Sequence, residues 1–354
     1  MAPRTRVVKT EEIAETDRIE GFAHPRETNR LVGQDQALAR AARAIRGGHP
    51  PQGWLIAGPP GIGKATLAYR IARYMLAYGA TAAGAEDLSV PERDGNAIQV
   101  AAGAHPGLLV LKRGLNDSGK LMSETSVGVV RKLSGFFGMT SGAGGWRIAI
   151  VDTADDMNPA AANALLKMLE EPPARAMLIL LSNTPGRLLP TIRSRCQRLD
   201  LRPLDLATLE KELAQLLPDT DAKERASLAR LAGGSIGMAL QLASGDSVAL
   251  AKDADRLLDT SGAPDIAAVL ALADRIGRIT DGLDTFATFL TETLIQRIRA
   301  RAQADAPHLD RWVECLNRLQ SSFARTAALN LDPRQTLLSA AGALAGARQR
   351  AGAL

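Results

Sequence analysis

The residues best suited to chemistry begin with Gly58-Pro59-Pro60-Gly61-Ile62-Gly63-Lys64. They follow the short apolar run Trp54-Leu55-Ile56-Ala57 and precede an amphipathic stretch in which Leu67, Ile71, Tyr74, Met75 and Tyr78 recur at helical spacing. Glycines at 58, 61 and 63 let backbone N–H groups converge on phosphate oxygens, the helix N-terminus adds positive potential, and Lys64 supplies a mobile charge. Strand, glycine-rich loop and helix in that order make a phosphate-binding loop. Its last position departs from the pattern. A hydroxyl directly after the lysine would ligate magnesium, but this chain has Ala65 there and Thr66 one place late. One step along a helix turns a side chain about 100° away, so Thr66 is a poor substitute. The loop predicts weak, metal-independent nucleotide or phosphate binding through Lys64 and the amides, and argues against metal-assisted cleavage.

A second acidic site follows the same trend. Ile148-Ala149-Ile150-Val151-Asp152 is an apolar strand ending in a carboxylate, but the next residue is Thr153, whose neutral hydroxyl is no general base near pH 7. Asp155 and Asp156 lie further on and are expected to start the next turn. Asp152 fits a nucleotide-facing role and a loop-capping role about equally. Leu178-Ile179-Leu180-Leu181 has the length and composition of a buried strand, and it runs into Asn183, a further candidate beside the loop. Eleven residues later comes Ser194-Arg195-Cys196. An arginine just ahead of the next strand, at the rim of a parallel sheet, is placed to reach phosphates held by a neighbouring molecule. Its planar, permanently charged fork suits a transition state rich in negative oxygen. The bland alternative is a local ion pair.

Five short strands alternating with helices up to about residue 201 predict an α/β domain, a parallel sheet covered on both faces. Leu31 to Ala37 opens a helix, Leu108 to Leu111 reads as a strand and Ser126 to Phe137 as a helix. Asn158 and Pro159 are an N-cap and first helical residue, and Glu170-Glu171-Pro172-Pro173 stops that helix. His105, in a turn, reads as structural. Beyond Pro203 strand signals vanish. Leu204 to Ala243 reads as a compact helical unit closed around Gly233-Gly234. Helices from 246 onward include Phe286 to Arg301 and Leu309 to Arg325, and a turn from Asn330 to Thr336 caps the last one. The predicted division is 1–202 with a charged lead-in over 1–25, then 203–245, then 246–354.

Composition bounds the rest. The 354 residues are 46% hydrophobic but only 3% aromatic, so the core must be small and aliphatic, which suits helix-rich packing. The net charge of +5 is scattered along the chain, a weak signal for nucleic acid. Two cysteines without a CxxC pair point to a reducing cytoplasm and exclude a cysteine-rich zinc site; no metal site is expected. Cys196 reads as a small buried residue ahead of a strand from Gln197 to Leu201. No long apolar run predicts a membrane span, and the charged start lacks the apolar segment of a secretory signal.

Taken together, several motifs resemble the delta-prime branch of the bacterial DNA polymerase III clamp-loader family of AAA+ proteins. They are the Gly58 to Lys64 loop, the run from Asn158 to Lys167 into Glu170-Glu171-Pro172-Pro173, the Ser194-Arg195-Cys196 triplet and the Asn330 to Gln335 turn. The resemblance implies an AAA+ P-loop domain, a helical lid and an all-α C-terminal collar within a five-subunit ring. Its partners would be a gamma/tau-type ATPase subunit, the delta subunit that opens the sliding clamp, and primer-template DNA. It also makes Arg195 an arginine finger acting in trans. Hydrolysing members carry a Glu after the strand Asp and an Arg where this chain has Gly237. The missing hydroxyl, Glu and Arg imply that this chain hydrolyses nothing itself and needs no cofactor. An active AAA+ ATPase of the gamma/tau or branch-migration type, and a stand-alone nucleotide switch, are the alternatives. Ala65, Thr153 and Gly237 argue against the first, and co-purification with loader subunits would argue against the second.

Overall fold

The computed structural model describes residues 18–19, 21–112, 127–138, 145–152, 154–243, 247–260, 262–279, 282–304, 307–329 and 331–352. The side chains of 127–131 and 247 are not included. Among these residues, β1 (Gly53–Ala57), β2 (Leu108–Leu111), β3 (Arg147–Val151), β4 (Ala176–Ser182) and β5 (Gln197–Asp200) form one parallel sheet in the order β2-β3-β4-β1-β5. Side chains alternate across it, as the period of a strand requires. Trp54, Ile56, Ile148, Ile150, Ile179 and Leu181 face α1 (Asp35–Arg46), α2 (Lys64–Tyr78) and α3 (Gly95–Ala101). Leu55, Ala149, Val151, Leu178 and Leu180 face α4 (Val127–Gly138), α5 (Pro159–Glu170) and α6 (Pro190–Arg195). Both faces are covered, which explains why the central strands read as unbroken apolar runs. This is an α/β architecture with a parallel sheet covered on both faces, followed by a helical region.

That region holds α7 (Leu206–Leu216), α8 (Ala222–Leu231), α9 (Ile236–Ala243), α10 (Ser247–Asp259), α11 (Ile266–Ile276), α12 (Gly282–Gln303), α13 (Leu309–Leu329) and α14 (Pro333–Ala351). Asp205, Asp221, Asp265 and Asp332 cap α7, α8, α11 and α14 by accepting from backbone N–H groups of the first turn. The apolar faces of these eight helices meet in one connected cluster, from Leu209 and Leu242 through Leu250 and Leu290 to Leu319 and Leu344. None of the described helices is long and apolar enough to cross a membrane.

Several details differ from the sequence reading. The first helix begins at Asp35 rather than near Leu31, because Gly33 turns the chain at φ +66°. The strand expected over Gln197 to Leu201 is an edge strand paired only with β1, so Leu199 is buried while Gln197, Arg198 and Asp200 face solvent. Cys196 is half-buried rather than buried; burial still pushes its thiol up to about 12, which keeps it inert. The residues just after the charged lead-in are pinned to α2. Arg73 donates to the carbonyls of Arg26 and Thr28 (2.7 and 2.5 Å), and Arg70 donates to that of Asn29 (2.6 Å). Burial, and then the neighbouring Arg70, brings the Arg73 guanidinium down to about 10. Ser126, Thr153 and Asn330 lie outside the described residues.

Candidate functional site

The loop between β1 and α2 sits where the chain has to turn sharply out of the sheet. Gly61 and Gly63 adopt φ of +66° and +102°, and Gly58 lies so close to Leu201 that an added Cβ would stand 2.8 Å from its carbonyl oxygen. The Gly58 N–H donates to the Ser182 carbonyl at 3.1 Å, which ties the loop to the end of β4. Asp152 and Asn183 leave the sheet at the same edge, after β3 and β4. Asp155, in a single 3₁₀ turn, accepts from the Ser182 hydroxyl (2.6 Å) and from the N–H groups of Asn183 (2.5 Å) and Thr184 (3.2 Å). Nothing local in the sequence marks that bracing role, because the three groups lie far away along the chain.

Lys64 is 8% exposed, and its ammonium donates to the loop's own carbonyls, Gly58 at 2.9 Å and Pro59 at 2.6 Å. Burial lowers its pKa from 10.5 to about 8; the carboxylates of Asp152, Glu292 and Asp155 pull the other way. Glu292 belongs to α12, so the C-terminal helices contribute to the field at the loop. Burial raises the Glu292 carboxyl, against the opposing pull of Arg299 and Lys64. In the window between about 8 and 10.5 the unfolded chain keeps the Lys64 proton and the folded chain releases it. Folding stability should therefore rise with pH through that window, and below it the cost is fully present. Relative to Lys64→Met, the wild type should gain up to about 3 kcal/mol between pH 7.5 and 10.5 in urea unfolding. A difference that does not change with pH would mean that the lysine is not desolvated.

The helical region closes directly over this loop. The Ser235 hydroxyl donates to the Pro60 carbonyl (2.9 Å), the Gly237 N–H donates to the Gly61 carbonyl (2.9 Å), and the Leu204 N–H donates to that of Gly234 (2.9 Å). Gly237 lies so close to Gly61 that a Cβ on it would stand 2.6 Å from the Gly61 Cα. The donor set at the loop is Lys64, whose ammonium already donates to two loop carbonyls, and the backbone N–H groups of Gly61 to Lys64. It does not fit magnesium, because Ala65 presents no oxygen and Thr66 makes none of the loop's hydrogen bonds.

Arg195 stands apart from all of this. It ends α6, just before β5, where Gln197 is in register with Trp54 at the start of β1. Its own loop lies at the other end of β1, roughly 15 Å away at about 3.3 Å per residue. Arg195 therefore does not serve the loop of its own chain. Its guanidinium pairs with Glu170, at 2.9 Å, and donates to the Thr191 carbonyl at 3.1 Å, with both side chains substantially exposed (38% and 49%). The structure thus supplies the local carboxylate of the bland alternative.

The family model described as DNA polymerase III, delta subunit, matches residues 33–205. DNA polymerase III subunit delta' of Pseudomonas aeruginosa is 41% identical over 184 residues, 51% of this chain and 52% of that protein. Over this region the chain is similar to delta-prime subunits of DNA polymerase III. The delta-prime subunit of Escherichia coli is 33% identical over 216 residues, 60% of this chain and 59% of its own. The chain thus spans little more than half the length of these delta-prime relatives. The tau subunit of Salmonella typhimurium is 27% identical over 242 residues, 65% of this chain and 35% of that protein. A solved gamma-subunit-related protein of Thermotoga maritima aligns over 90% of this chain and 99% of its own, at 19% identity and a TM-score of 0.42. The delta-prime match covers the loop, Asp152, Asn183 and Arg195, and ends at the N-cap of α7.

Proposed function

We propose that this chain is a delta-prime-type subunit of a bacterial clamp loader, cytoplasmic and fixed in a five-subunit ring beside a gamma/tau-type ATPase. In this reading it hydrolyses no ATP. It lends Arg195 to the triphosphate of that neighbour, while the delta subunit opens the sliding clamp and the ring loads it on primer-template DNA. The 1–202, 203–245 and 246–354 segments then serve as AAA+ domain, lid and collar. The observation that carries the reading is the division of the chemistry across the sheet. An incomplete, lid-covered loop stands at one edge, and a half-exposed arginine stands at the other, out of its own loop's reach.

The isolated protein should hydrolyse ATP no faster than a buffer blank; turnover near the about 1–100 per second usual for kinases would overturn the reading. Calorimetry should find weak nucleotide or phosphate binding that is indifferent to magnesium. Tight magnesium-dependent binding would mean that Thr66 or another group replaces the hydroxyl absent at Ala65. Mixing the protein with the ATPase subunit should give a stable complex whose hydrolysis depends on Arg195.

A further inference from the structure

We infer that Glu170 is the resting partner of Arg195, a positioning residue that holds the finger in reserve until a neighbour's triphosphate competes for it. This inference rests on the reading of Arg195 as a finger acting in trans. Glu170 is the last residue of α5, followed by Glu171 and two prolines. A carboxylate at the C-terminal end of a helix faces the negative end of the dipole and gains most from a nearby cation. Arg195 closes α6 beside it. The two helix ends are held together by their packing, with Leu165 of α5 and Ile192 of α6 fully buried in one cluster. Gly53 leaves room for the approach: a Cβ there would stand 2.8 Å from Leu169 Cδ2 and 3.2 Å from the Arg195 carbonyl oxygen.

The pair occupies the atoms that catalysis would need. One Nη of Arg195 binds Glu170 Oε1, and the other donates to the Thr191 carbonyl. Both prongs of the fork are thus engaged within the chain, and a phosphate has to displace at least the carboxylate to be gripped by two donors. Exposed ion pairs are weak and screened by salt. The arginine is therefore held in a defined direction without being locked, and the pairing lowers the competent fraction only several-fold. A polyanionic triphosphate outcompetes a single carboxylate, whereas an empty neighbouring site does not. Glu170 then makes engagement of the finger conditional on what the neighbour holds.

The test uses the fully assembled loader with clamp and primed DNA, measuring steady-state ATP hydrolysis at several salt concentrations. Four forms are compared: wild type, Glu170→Gln, Arg195→Ala and the double variant. Glu170→Gln should raise kcat by up to about fivefold with KM for ATP little changed, and the gain should shrink as salt rises. In the Arg195→Ala background the same substitution should change nothing, since the cycle isolates the coupling between the two residues. Glu170→Asp, which keeps the charge, should stay near wild type. If Arg195→Ala slows hydrolysis while Glu170→Gln leaves kcat unchanged or lowers it, the reserve role falls and the finger stands. An equal acceleration with and without Arg195 also overturns the reserve role. If Arg195→Ala itself has no effect, the finger reading falls, and this inference with it.

Discussion

Arg195→Ala in the assembled loader is expected to depress clamp-stimulated ATP hydrolysis while leaving the fold and the ring intact. The side chain is half-exposed, and its guanidinium binds Glu170 and the Thr191 carbonyl. Its loss costs one exposed ion pair, about 0–1 kcal/mol of stability. In the proposed trans-acting role its contribution to catalysis is of a different order. A donor aimed at charge that develops in the transition state lowers the barrier without tightening the ground state, so rate should fall more than nucleotide affinity. A finger serving a sole site can be worth ~10³–10⁵. A ring with several sites loses less, unless they fire in strict order. Arg195→Lys should rescue poorly, because an ammonium lacks the two-pronged fork. Thermal melting and steady-state rates together separate the outcomes. A lower melting temperature with an unchanged assembled rate would make Arg195 no more than Glu170's ion-pair partner.

Gly237→Arg, which introduces the arginine that the clamp-loader resemblance places here in hydrolysing members, should not confer hydrolysis. It should instead push α9 off the loop. The Cβ alone would stand 2.6 Å from Gly61 Cα and 3.0 Å from Gly61 O, backbone atoms with no rotamer to escape into. Overpacking of this kind costs about 1–3 kcal/mol, and the Gly237 N–H to Gly61 bond adds about 1 kcal/mol when lost. A total near 3 kcal/mol should appear as a lower melting temperature and as faster amide exchange at 235–239 and 58–64. Gly237→Ala should show most of the same loss, since the clash begins at Cβ. An arginine variant as stable as wild type that gained magnesium-dependent turnover would show that the lid does not depend on this contact.

The sheet was legible in the sequence because strands buried on both faces leave unbroken apolar runs, and Gly58 to Lys64 marks the turn out of β1. The α5 boundaries were legible for a similarly local reason: Asn158 accepts from the Ala161 N–H at 2.9 Å, and the prolines forbid continuation. What stayed hidden was long-range. Gly237 registers in the sequence as a missing arginine, whereas in three dimensions it is the residue small enough to let the lid touch Gly61. Asp155 reads as a surface turn and proves to brace the end of β4. Arg70 and Arg73 carry no local mark of burial and are buried anchors for residues 26–29. Glu170 sits inside a helix-stop motif, and nothing along the chain points from it to Arg195.

The unbroken apolar cluster through α7–α14 also has a mechanical meaning. Two bodies with separate cores can flex at their boundary, but helices that interdigitate in one close-packed core transmit strain instead of absorbing it. Among the described residues the cluster runs without a break from α13 and α14 to α9, so strain applied at the far helices can pass along it to that end. There, Ser235 and Gly237 bear on Pro60 and Gly61. The helical second half of the chain thus meets the loop after β1 through a small, stiff contact rather than a hinge.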